Sequence, residues 1–254
     1  MAARSIWNGT VAFGLVNVPV KLYTATESMT VSFSEVHASD GARVEHRRIC
    51  SKEDKEVPYD KVVKGYEVSE GKFVVLEKDE VKAAAGDRGK VIALDEFVDA
   101  AAIDPVFHDR TYYAGAGDAP EAYRLLHEAL RRSGRAGMGR FTFHDREYLV
   151  ALRAYDDVLA LHTLRFHDEV VDVGDLDVPT PDQKPARKEL DMAAKLVESL
   201  HQDFDPSAYE DTYRAAVLDL IKRKAKGEKI DLAEQEEPEH GDDLAAALQA
   251  SLGS

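Results

Sequence analysis

The chain has 254 residues, of which 44% are hydrophobic, and a formal net charge of −15 at pH 7. A hydrophobic fraction of this size supports a buried core, which excludes a chain that is disordered throughout. No stretch approaches the roughly 20 consecutive apolar residues that span a bilayer, so we expect a cytoplasmic protein with no membrane partner.

The first part of the chain, to about residue 115, has the pattern of short β-strands separated by turns. β-branched and aromatic residues alternate there with polar ones, and glycines interrupt them at turn positions. The predicted strands are Ile6–Phe13, Val18–Tyr23, Thr30–His37, Val44–Ile49, Phe73–Leu76, Val91–Phe97 and Arg110–Ala114. So many short strands favour a closed sheet, because closure removes edges that would otherwise aggregate.

A single helix and three further strands follow. Asp118 and Pro120 are typical of a helix start, and an apolar stripe from Ala122 to Leu130 ends before Gly134. Alternation then resumes in three runs joined by short turns, which predicts antiparallel hairpins. These runs are Met138–Phe143, Glu147–Ala154 and Val158–Phe166.

In the C-terminal third of the chain, the predicted structure changes from strands to a linker and helices. Three prolines between Asp175 and Pro185 indicate a linker, since neither a helix nor a central strand tolerates them. Helical patterns cover Arg187–Phe204 and Ser207–Lys226, the second with Asp205 as its cap. The acidic stretch beyond precedes a short amphipathic helix, Asp242–Leu252, whose leucines Leu244, Leu248 and Leu252 form a candidate partner-binding face.

No pattern of an enzyme stands out. The sequence has no phosphate-binding GxxxxGK[ST] loop, no GxSxG elbow and no HExxH motif. Cys50 is the only cysteine, so a cysteine zinc site is implausible, and we interpret it as a small buried hydrophobe. We expect neither a catalytic residue nor a cofactor, and a metal-free hydrolase is the weakest hypothesis.

The distribution of charge matters more than its sum. Residues 230–254 contain seven acidic and no basic residues, so the rest of the chain can still present a basic surface to a polyanion. Two clusters could do so, since guanidinium groups match phosphate oxygens. The candidate DNA-binding arginines are Arg43, Arg47 and Arg48 in the first cluster, and Arg131, Arg132, Arg135, Arg140, Arg146 and Arg153 in the second. The competing interpretation is a solvated polar face on an ordinary sheet.

Four segments resemble the bacterial Ku family in the family's order along the chain. They are RSIWNGTVAFGLVNVPVKLYTATE, RRICSKEDKEVPYDKVVKGYEV, EFVDAAAIDPVFHDRTYYAG and RFTFHDREYLVALRAYDDVLALHTLRFHDEV, and they cover most of residues 4–173. The resemblance implies an α+β fold, mainly β, with a Ku-type β-barrel core, an extended bridge and C-terminal helices. It places the bridge at residues 131–153.

The resemblance also implies a function. Two subunits of that family form a homodimeric ring that threads onto ends of double-stranded DNA and recruits the repair ligase, ligase D, for non-homologous end joining. We therefore expect a core and bridge at residues 1–178, a linker at 179–186, a helical region at 187–227 and an acidic tail at 228–254. Many relatives continue into a lysine-rich tail that is missing here, so we expect end binding to depend on the ring. The alternative is a β-barrel interaction scaffold that recognises acidic or phosphorylated peptides.

Overall fold

The computed structural model describes residues 4–84, 90–143, 146–178 and 186–229. Strands and helices are named in chain order: β1 Trp7–Phe13, β2 Val16–Thr24, β3 Lys64–Ser69, β4 Lys72–Leu76, α1 Lys78–Ala84, β5 Val91–Asp99, β6 His108–Ala116, α2 Pro120–Ser133, β7 Arg135–Phe143, β8 Arg146–Tyr155, β9 Val158–Leu164, α3 Arg187–Ser199 and α4 Thr212–Ala225. None of the helices in these ranges is both long and apolar enough to cross a membrane.

The main feature of the described chain is a closed barrel with the strand order β1-β2-β6-β9-β8-β7-β5. Neighbouring strands are antiparallel, except that the parallel pairing of β1 with β5 closes the cylinder. Closure pairs both edges of the sheet, so neither is left to recruit another strand. The predicted α+β fold with a β-barrel core is confirmed.

The barrel is filled by side chains that alternate along its strands. Along β2, Val18, Val20 and Leu22 are buried while the residues between them reach the surface, as a period of two requires. Phe141 from β7 is almost fully buried and meets the Trp7 ring edge-on at 5.1 Å. The barrel strands were predictable because this burial pattern matches the alternation of apolar and polar residues in the sequence.

Helix α2 packs on the barrel through three buried side chains, Tyr123, Leu126 and Leu130. The Tyr123 hydroxyl donates to the carbonyl oxygen of Ala114 on β6 and accepts from the amide of Leu159 on β9. Burial raises the pKa of this phenol. One side chain therefore ties the helix to two neighbouring strands.

Several details differ from the sequence-based predictions. Thr30–His37 and Val44–Ile49 are not strands; single bridges, Val36 with Arg43 and Ile49 with Glu56, replace them. The alternation there does not reflect burial, because the side chains on both faces are largely exposed. Strand β3 and helix α1 were not predicted.

The helix ends also differ in detail. Helix α2 has Ala119 at its N-cap position without a side-chain cap, so the predicted role of Asp118 is wrong. Asp205 caps a short 3-10 turn, and α4 starts later, where Asp211 accepts a hydrogen bond from the Arg214 amide. The predicted helix from Arg187 ends earlier, at Ser199.

The chain divides into two compact units. The first contains Met1–Ser28 and Glu35–Val173, and therefore the whole barrel; the second contains Met29–Ser34 and the chain from Gly174 onward. Within the first unit, residues 35–84 lie between strands β2 and β5 and do not belong to the barrel; they are called the arm below.

Candidate nucleic-acid interface

Two of the candidate DNA-binding arginines, Arg131 and Arg132, lie side by side at the C-terminal end of α2. Arg131 binds the Glu128 carboxylate through Nε at 2.8 Å and a terminal nitrogen at 2.9 Å, and Arg132 Nε lies 2.6 Å from the same carboxylate. These hydrogen bonds, first from Arg131 and then from Arg132, lower the pKa of Glu128 to about 2. Because two guanidinium groups share one carboxylate, this corner keeps a positive charge.

Arg135 and Arg153 extend the same corner. The Arg135 Nε, at the start of β7, lies 3.7 Å from Asp99 Oδ1. Arg153, on β8, donates from Nε to His162 Nε2 at 2.9 Å and lies over the Tyr155 ring. A cleft of about 270 Å³ is lined by Arg131, Arg135 and Arg153 together with Asp156. Three of the candidate arginines thus line one cleft, and Arg132 is linked to them through Glu128; these four are called the α2 arginine corner below.

His162 has its own anchoring in the barrel wall. It is 5% exposed, and its Nδ1 lies 2.9 Å from the Thr111 hydroxyl. Burial, then the charge of Arg153, then His108, lower its pKa to about 4, so the ring is neutral and can accept from Arg153. The ring of His108 packs edge-on against it at 5.0 Å. Arg153 is therefore held by a neutral partner.

Arg140 and Arg146 lie apart from that corner. Arg140 forms an ion pair with Glu147 across β7 and β8 at 2.8 Å, and Arg146 pairs with Glu169 at 3.3 Å while lying over the Tyr148 ring. The prediction that residues 131–153 form an extended bridge is wrong in its location. These residues end α2 and form β7 and β8, which are strands of the closed barrel.

The arginines of the first cluster lie in the arm. Arg47 is 3.5 Å from Glu56, and Arg48 stacks over the Tyr59 ring at 4.9 Å. Among the described residues, no carboxylate forms an ion pair with Arg43 or Arg48. Cys50 is half-buried in a turn of the same segment, so its interpretation as a core residue is wrong.

Sequence reasoning predicted β4 but missed its partner β3, and with it the exposed β3–β4 hairpin of the arm. Its side chains are exposed on both faces, including Tyr66 at 68%, Phe73 at 58% and Val75 at 54%. Lys64 and Lys72 lie on the same hairpin. The run FVVL predicts the strand at Phe73–Leu76, but sequence alone cannot distinguish buried apolar residues from exposed ones.

The remaining predicted site residues, Leu244, Leu248 and Leu252, lie outside the described residues. Within the part of the chain that the structure describes, no three His, Cys, Asp or Glu side chains are grouped so that they could hold a metal ion.

Fold and site together describe a β-barrel protein with surface cations and a long exposed arm. Residues 12–192 match the family model of the Ku70/Ku80 beta-barrel domain. The chain belongs to the Ku family.

Curated relatives agree along nearly the whole length. The chain is 43% identical over 256 residues to the non-homologous end joining protein Ku of Anaeromyxobacter sp. (strain K), covering 99% of this chain and 86% of that protein. It is 36% identical to the protein of the same name from Bacillus subtilis (strain 168), covering 98% and 81%. The match to that from Mycobacterium tuberculosis (strain ATCC 25618 / H37Rv) is 37% identical and covers 98% and 94%.

Proposed function

We propose that this protein binds ends of double-stranded DNA in non-homologous end joining, as a non-enzymatic homodimeric ring. The observation that carries the proposal is membership of the Ku family, with relatives named for non-homologous end joining along nearly the full chain. The exposed arm supports the ring, and the surface arginines support contact with phosphates.

The arm supports a dimer because it exposes apolar side chains that one chain does not cover. A two-stranded hairpin is marginally stable in water by itself, and β3–β4 is exposed on both faces. An apolar surface of this kind normally marks an interface. In a two-fold dimer each arm would cover the other, and two arms with two barrels would enclose an opening.

Contacts with DNA should be made to phosphates, because a break-end protein must accept every sequence. Arg43 and Arg48, without carboxylate partners in the described chain, are the strongest candidates. The others, Arg47, Arg131, Arg132, Arg135, Arg140, Arg146 and Arg153, remain candidates that must exchange their present partners for a phosphate. If a dimer neutralises about six to ten phosphates, its affinity falls by about three to five orders of magnitude between about 50 and 200 mM salt.

The proposed partner for joining is ligase D, and the proposed location is the nucleoid. Helices α3 and α4 leave Leu190, Val197 and Leu218 exposed, which suits helix-mediated recruitment. The predicted face of Leu244, Leu248 and Leu252 is a second candidate for this contact.

The deciding experiment compares one duplex in linear and closed circular form. A ring admits DNA at a free terminus, so linear DNA should bind and the circle should not. Equal affinity for both forms would defeat the ring. Binding to neither would favour the alternative, a scaffold for acidic or phosphorylated peptides.

A second experiment tests the arm. Tyr66 and Val74 are cross-strand partners on the hairpin, and replacing both with Asp should convert the dimer to a monomer and abolish end binding. Phe73 and Val75, changed in the same way, test the other face. Glu70→Gln at the turn is the matched control and should remain a dimer in sedimentation velocity. A dimer that survives both double substitutions would exclude the hairpin from the interface.

A further inference from the structure

An apolar groove lies between α2 and the barrel, away from the arm. It has a volume of about 490 Å³, with Phe13, Val16 and Phe97 on the barrel side and Leu125, Leu126 and Ala129 on the helix side. Leu125 is 73% exposed and Phe97 39% exposed, although both border the groove. Covering an exposed apolar side chain such as Leu125 is favourable, so the groove offers binding energy to an apolar ligand.

One end of the groove is cationic. Leu130 and Arg135 line both the groove and the neighbouring cleft, whose other walls include Arg131 and Arg153. Arg131 and Arg132 share the single carboxylate of Glu128, and the partner of Arg153 is a neutral imidazole. With Asp99 and Asp156 included, these groups carry more positive than negative charge.

Size and charge together define the occupant. A groove of this volume holds a few side chains, whereas a stable interface between two folded chains buries about 800 Å² on each. The cationic end selects against a basic ligand and favours carboxylates. We propose that this groove is a docking site for a short segment of a partner protein, with apolar side chains along the groove and an acidic residue at the α2 arginine corner.

A library of short random peptides, selected on the full-length protein, tests the proposal. Selected peptides should combine apolar residues with an acidic one. Leu125→Glu places a charge in the groove and should weaken their binding roughly tenfold to a hundredfold, by the energy of one covered leucine. Arg124→Gln lowers the charge of α2 by the same one unit outside the groove lining and should bind the peptides as wild type does.

A charge exchange tests the cationic end. Arg135→Glu should reject the acidic peptides and bind better those in which lysine replaces the acid. Leu125→Glu should still bind linear duplex DNA with unchanged affinity, which separates this site from the proposed function. The proposal is overturned if no such peptides are selected, if Leu125→Glu binds them normally, or if that variant also loses DNA binding.

Discussion

Lowering the pH should destabilise the barrel through His162. The folded protein holds this imidazole neutral with a pKa of about 4, whereas the ordinary pKa of a histidine is 6.5. Below pH 6.5 the unfolded chain therefore binds a proton that the folded chain does not, so the free energy of unfolding falls as the pH falls. The loss continues until the pH approaches 4, where the folded state is protonated as well.

The size of this effect follows from the difference of about 2.5 between the two pKa values. At about 1.36 kcal/mol for each unit, the full effect is about 3–4 kcal/mol, of which about 2 kcal/mol is lost by pH 5. Arg153 and His108 also lower the pKa of His162, because both disfavour a positive charge on this ring.

Urea unfolding at pH 7 and pH 5 and at fixed protein concentration measures the effect. Many carboxylates titrate in the same range, so the informative quantity is the difference between the wild type and His162→Gln. The variant should be less stable at pH 7, but it should lose about 2 kcal/mol less than the wild type on acidification. His201→Gln, at an exposed side chain, serves as the control and should follow the wild type. Parallel pH profiles for wild type and His162→Gln would refute the reasoning.

Three further changes test other parts of the structure. Tyr123→Phe removes the hydroxyl that links α2 to β6 and β9. The free energy of unfolding in urea should fall by roughly 1–3 kcal/mol, because the buried amide of Leu159 loses its acceptor. An unchanged unfolding midpoint would mean that water replaces the hydroxyl. Gly139→Ala should destabilise the barrel by about 1–3 kcal/mol or more, because the new Cβ would overlap the backbone carbonyl oxygen of Ala93 on β5. A melting temperature equal to that of the wild type would show that β5 and β7 can move apart without a loss of stability. Arg43→Ala with Arg48→Ala should lower the slope of log affinity against log salt by about 0.9 for each phosphate that the variant no longer neutralises, and an unchanged slope would remove both side chains from the DNA surface.

The barrel was predictable because its strands obey a local rule. Val18, Val20 and Leu22 alternate with more exposed residues, and the structure buries that set. The same rule failed at Thr30–His37 and Val44–Ile49, because these segments alternate without a sheet to pack against. Alternation in the sequence indicates that a segment prefers an extended conformation. Whether another element buries its apolar face depends on the fold.

The arrangement of the candidate arginines was only partly predictable from the sequence. The pairing of Arg131 with Glu128 could have been anticipated from helical spacing, because the two residues are three apart. The contacts of Arg135 with Asp99 and of Arg146 with Glu169 join distant parts of the chain and depend on strand register. The anchoring of Arg153 by His162 likewise required the pairing of β8 with β9.

The way in which the barrel closes has a consequence for the arm. Strand β1 lies between β2 and β5 and pairs parallel with β5, so the intervening segment departs and returns at the same rim, two strand spacings or about 10 Å apart. The length of this segment can therefore change without altering any strand register. The entropic cost of closing such a loop rises only slowly with added residues. In the proposed dimer, insertion or deletion in this segment would therefore change the size of the opening, while the barrel keeps its architecture.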